Sequence, residues 1–153
     1  MDPRRENLRE WERFGADGQP YRNRDFFIYE AQATTIAAGG VDTDTIQIQA
    51  DAHFVWQKAV FEADLAGVAQ TESTRIIPNV NIQITDTGSN RQLFFNPVPI
   101  PNVFGMSGLP FILPNPRLFV KTSTIQIDFT SFEVAATPTI RLSFIGYKFY
   151  KLG

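Results

Sequence analysis

The sequence predicts an all-β chain: an antiparallel β-sandwich of jelly-roll type with about eight strands, preceded by an N-terminal arm containing a short helix. Three observations predict it. Apolar and polar side chains alternate with a two-residue period in 45–49 (TIQIQ), 79–85 (NVNIQIT) and 124–129 (TIQIDF), the mark of strands with one buried face. No stretch beyond residue 15 carries a convincing helical apolar period. The connections include both short turns and long crossings, which suit two packed sheets in Greek-key or jelly-roll order better than a meander. A closed up-and-down barrel ranks second, because its cavity needs small or polar interior residues that these strands do not supply in quantity.

Residues 1–24 form the arm and residues 25–153 the domain. The first 25 residues hold six acids and six arginines, against ten acids and eight bases in the rest. Asp2 before Pro3 is an N-cap with proline at the first helical position, and Gly15 is a stop. Between them Leu8, Trp11 and Phe14 recur every three residues as a narrow apolar stripe. A helix of about twelve residues is marginal alone in water, so this stripe needs a surface. That surface is the chain's own domain or another subunit. The neighbour is preferred, since an arm so distinct from its domain suits a reach across a contact.

Strand-like sequence then runs over 26–36, turning at Ala38-Gly39-Gly40, and over 45–49 with Ile46 and Ile48 inward. Residues 53–63 predict a long strand with room for a bulge. Residues 64–77 predict a long connection into Pro78. Residues 79–85 and 91–95 flank the DTGSN turn at 86–90 and predict a hairpin. Strands follow at 124–129 and 139–151, with a turn around 135–138, and Gly146 allows a bulge or bend. The Ile-x-Ile echo at 42–51, 79–88 and 123–130 is unequally spaced, which separates it from a solenoid repeat.

Residues 96–120 interrupt this pattern. They hold six of the ten prolines, which excludes a helix or a central strand, yet carry more apolar side chain than a solvated loop. The segment is expected to be the long crossing, with 111–119 returning into the sandwich and 98–109 left for partners. A proline-stiffened apolar loop loses little entropy on docking.

Composition bounds the chemistry. The 153 residues suit one domain, and without cysteine there is no disulfide, thiolate metal site or cysteine nucleophile. A net charge of −2 with scattered signs gives no basic field for nucleic acid and no polybasic membrane patch. No apolar run is long enough to span a bilayer, and the charged N-terminus is unlike a signal peptide. His53 is the sole histidine, and no serine sits in a nucleophile-elbow setting, so a triad with Asp51 or Asp64 is disfavoured. Asp42, Asp44 and Asp51 lack the remaining ligands of a calcium loop. Glu62 with Asp64, or Asp128 with Glu133, are the pairs open to glycoside hydrolysis, but the groove of tryptophan and tyrosine is missing. The expectation is a protein that is not an enzyme and takes no cofactor or metal.

Several stretches carry a family resemblance: DFFIYEAQATTIAAGG (25–40), ADAHFVWQKA (50–59), IQITDTGSNRQL (82–93), PVP (97–99), LPFILPNPRLF (109–119) and RLSFIGYKFY (141–150). In these the chain resembles small jelly-roll accessory proteins of tailed-phage heads, of the cement or decoration type. The resemblance covers about residues 25–151 and leaves the arm unmatched. It implies a structural virion protein on the outer head surface, assembled in the host cytoplasm. Self-association as a homotrimer and clamping of neighbouring subunits of the major capsid protein are implied with it. No active-site residue is implied.

Interface residues are expected at Leu8, Trp11, Phe14 and Tyr21 of the arm. In the proline-rich segment they are expected at Val98, Ile100, Val103, Phe104, Met106 and Leu109. Two other functions fit a β domain of this size: a tail, head-fibre-base or connector adaptor, and a carbohydrate-binding or glycan-hydrolysing module.

Overall fold

Alternating sequence becomes two antiparallel sheets, one of four strands and one of five, packed face to face. The computed structural model describes residues 24–65 and 75–149. Strands β1 (Arg24–Ala33), β3 (His53–Leu65), β7 (Phe111–Phe119) and β9 (Pro138–Phe149) form the first sheet in the order β1-β9-β3-β7. Strands β2 (Val41–Gln47), β4 (Val80–Asp86), β5 (Arg91–Gln92) and β8 (Thr124–Ser131) form the second in the order β2-β8-β4-β5, and β6 (Val98–Pro99) also pairs with β4. Among the described residues the only helical element is a 3-10 turn at Ile100–Asn102. The expected arm helix lies outside the described residues.

The two inner faces differ in chemistry. The second sheet contributes branched aliphatics, Ile46, Ile82, Ile84, Ile125 and Ile127, which suit a pleated surface. Against them the first sheet sets larger rings. Trp56 lies at the centre, with ring centroids of Phe144 at 4.7 Å, Phe104 at 6.0 Å and Phe119 at 6.1 Å.

The bulge expected in 53–63 falls between Trp56 and Lys58, where Gln57 is the extra residue in register with β9. It has two local consequences. The Lys58 carbonyl accepts the Trp56 indole N–H at 2.7 Å, so the buried ring leaves no donor unpaired. Gly146, opposite Trp56, sits so close that a Cβ there would lie 1.8 Å from the Val55 carbonyl oxygen. The predicted irregularity at Gly146 is therefore a close backbone approach, which only glycine permits.

Residues 91–95 were expected as a strand, and only Arg91–Gln92 pair regularly. Beyond Leu93 the chain turns away from β4, and the buried Gln83 side chain fills the gap. Its Nε2 donates to the Phe94 carbonyl at 2.9 Å, and its Oε1 accepts the Phe94 N–H at 3.3 Å.

The proline-rich segment is more structured than a crossing. Its second half is β7, an edge strand, where proline is tolerated because one side of the ladder needs no donor. Pro114 and Pro116 occupy the interval where pairing with β3 lapses, between Ile112↔Lys58 and Arg117↔Trp56. The first half is pinned to β3 through Gly105: Phe61 N–H donates to the Gly105 carbonyl at 2.8 Å, and Gly105 N–H to the Ala59 carbonyl at 3.0 Å.

Candidate interaction face

Three surfaces among the described residues are candidates for contact with a partner. The first is the turn at 106–109, closed by Leu109 N–H donating to the Met106 carbonyl at 2.9 Å. Its base is fixed by Gly105, where a Cβ would lie 2.2 Å from the Leu109 carbonyl oxygen. Met106 and Leu109 project from this rigid base, Leu109 with 81% of its surface exposed. Phe95, in the loop before β6, is 96% exposed.

The second is the outward face of the four-stranded sheet. Phe26↔Tyr147↔Val55↔Leu118 and Ile28↔Ile145 are cross-strand neighbours on that face. Phe26 and Ile28 are exposed, whereas Val55, Tyr147 and Phe149 are buried and form a small cluster apart from the main core. Toward the far end of the same sheet the face becomes charged. Arg141 Nε stands 3.7 Å from Glu30 Oε1, and Arg75 Nη2 stands 3.6 Å from Glu62 Oε1.

The third is a groove of about 800 Å³ at the open side of the sandwich, between β5 and β7. Leu93, Phe94, Phe111, Leu113 and Pro116 make its apolar walls. Its polar floor is a cluster: Arg117 Nη2 lies 3.0 Å from Asp86 Oδ2, which also accepts the Ser89 hydroxyl at 3.0 Å. Asp86 Oδ1 accepts Gly88 N–H at 3.0 Å.

The predicted site residues divide accordingly. Leu8, Trp11, Phe14 and Tyr21 lie outside the described residues. Met106 and Leu109 are on the surface, and Val98 and Val103 are half-buried. Ile100 and Phe104 are corrected to core residues, 0% and 1% exposed, and present no surface to a partner. Proline-rich sequence hides this because its apolar residues have no period from which an inward side could be read. The outward apolar band was missed although it left a signal. FFIY at 26–29 is apolar on both sides of the strand, the pattern of a sheet covered on both faces.

Carboxylates weighed for chemistry make structural contacts. Asp128 accepts the Thr43 hydroxyl at 2.9 Å, and Glu133 accepts Asn79 N–H at 2.8 Å. Asp51 pairs with Lys148 Nζ at 3.1 Å, while that ammonium also stands 4.0 Å from the Phe27 ring centroid and donates to Gln49 Oε1. His53 Nδ1 accepts Lys121 N–H at 2.9 Å. Among the described residues no cluster of three or more His, Cys, Asp or Glu is placed to hold a metal ion. Comparison with models of protein families and with curated proteins finds no match to this chain.

Proposed function

We propose that this chain is a non-enzymatic structural protein of a phage virion: a jelly-roll cement protein on the outer head surface that binds between subunits of the major capsid protein and associates as a homotrimer. The jelly-roll part is supported by the strand order. Each sheet interleaves strands from both ends of the chain, as two rolled Greek keys do.

The observation that carries the binding role is the 106–109 turn. Its apolar tip stands on a base fixed by Gly105 and by hydrogen bonds to β3, so Met106 and Leu109 are presented with little entropy left to lose. Phe95, in the loop before β6, is a second exposed apolar side chain of the proline-rich half of the chain. The motif resemblance supplies the virion context.

Imaging of intact particles carrying the labelled protein tests this directly. Density over the head lattice, between capsid subunits, is expected. Label confined to the tail or fibre base would replace the cement role with an adaptor role, and absence from particles would end the virion reading.

A further inference from the structure

We propose that the outward face of the four-stranded sheet, around Val55, Tyr147 and Phe149, is the seat of the chain's own N-terminal segment, which docks there through Leu8, Trp11 and Phe14. This is a property of the isolated chain and stands whether or not the protein binds a capsid.

Three observations converge. Val55, Tyr147 and Phe149 point away from the sandwich core, yet they are 0%, 8% and 3% exposed. Among the described residues their apolar packing partners are one another and Leu118, all of the same sheet, so these neighbours in the plane do not account for the burial. Side chains on an open sheet face keep substantial exposure, and these do not. The Tyr147 hydroxyl, moreover, is out of contact with water and has no hydrogen-bond partner among the described residues. A cover that excludes water without offering a donor or acceptor is apolar, as the Leu8, Trp11 and Phe14 stripe is.

The chain also enters the sheet at this place. Arg24 opens β1 in register with Phe149, and its guanidinium carbon stands 4.9 Å from the Tyr147 ring centroid. Residues before Arg24 therefore start at the rim of the cluster. The lengths agree: the sheet spans roughly 14 Å across its three strand spacings. The helix that the sequence predicts over 8–14 would rise about 9 Å, and the residues linking it to Arg24 would reach about 30 Å if extended. A charged segment with a single apolar stripe, tethered beside an apolar patch, has a high effective concentration there.

The full chain labelled with 5-fluorotryptophan gives a test, because its tryptophans are Trp11 and the buried Trp56. The Trp11 fluorine is expected to show a small solvent isotope shift and a nuclear Overhauser contact to the Tyr147 ring, both unchanged on hundredfold dilution. Leu8→Ser with Phe14→Ser should at least double the isotope shift of Trp11 and leave the Trp56 resonance in place. Val55→Lys should do the same from the other side. If that protein fails to fold, the double arm variant, which leaves the sheet untouched, still decides the matter. A Trp11 with the isotope shift of free tryptophan in the unaltered chain would overturn the proposal. So would a protected Trp11 without contact to Tyr147. Protection lost on dilution would assign the seat to the arm of a second copy and overturn docking within one chain. None of these readouts involves particles, so their failure and the failure of the cement role are separate results.

Discussion

Arg117 of β7 and Asp86 of β4 form an ion pair, Nη2 to Oδ2 at 3.0 Å, that ties the two sheets together at their open side. The Asp86 side chain is only 6% exposed and the Arg117 side chain 29% exposed, so removing one partner strands the other in a poorly solvated place. Asp86→Ala is expected to cost about 3 kcal/mol in urea unfolding. Asp86→Ala with Arg117→Met, which leaves no unpaired charge and keeps an apolar stem over Phe119, should recover more than half of it. A double variant as unstable as the single would show that the turn at Gly88 and Ser89, not the ion pair, accounts for the loss.

Gly146 should be intolerant of the smallest enlargement. Its missing Cβ would overlap the Val55 carbonyl in the middle of the sheet, where neither backbone can retreat without breaking the ladder. Gly146→Ala is expected to lose at least about 4 kcal/mol, or to leave no soluble protein. Gly108 is the control, since a Cβ there meets nothing within 4 Å. Gly108→Ala should change stability by less than about 0.5 kcal/mol.

Phe104 and Leu109 are five residues apart and should behave oppositely. Phe104→Ala is expected to cost about 3–5 kcal/mol, and Phe104→Asp to unfold the isolated chain. This follows from its place in the core, where the sequence predicts an interface residue. Leu109→Asp should keep the parent's urea midpoint and, on the proposed cement role, reduce binding to the phage head. Circular dichroism on isolated proteins, followed by particle co-sedimentation, separates the two effects.

Tyr147 gives the protein an alkaline limit. Burial pushes its phenol above the ordinary value of 10.0, and the nearby Arg24 charge opposes this only in part. The folded state therefore prefers the neutral ring. Its contribution is complete below pH 10.0 and is lost as pH rises through the higher folded value. Tyr147→Phe should match or slightly exceed the parent near neutrality, because it removes a buried hydroxyl that has no partner among the described residues. Above about pH 10 it should fall less steeply than the parent. Urea midpoints of both proteins from neutral to alkaline pH check this divergence, and parallel curves would rule it out.

The sandwich was legible wherever one face is buried and the other wet. Ile82 and Ile84, or Ile125 and Ile127, alternate with polar neighbours, and the structure pairs Ile84 with Ile127 on one inner face. Even the bulge in β3 could be anticipated, because HFVWQKAVFEA cannot keep one strict alternation along its length. The candidate surface was only partly legible. Met106 and Leu109 are on the surface, while Phe104 and Ile100 went inward. A loop side chain is directed by its turn geometry and by what it meets, neither of which leaves a period in sequence. Lys148 illustrates the same limit. The expected alternation points it into the sandwich, but nothing local announces that Asp51, Gln49 and Phe27 gather around it.

The placement of β9 between β1 and β3 has a consequence for how the protein is made. Both earlier strands find that neighbour only when the last described strand has left the ribosome, so this sheet cannot grow in the order of synthesis. More than a hundred residues separate Arg24 from its partner Phe149, and long-range pairing of this kind makes folding slow. Until β9 arrives, FFIY and HFVW present unpaired apolar edges to the cell. A chain with such a delay is a natural client for chaperones, and its yield should depend on them more than its final stability does.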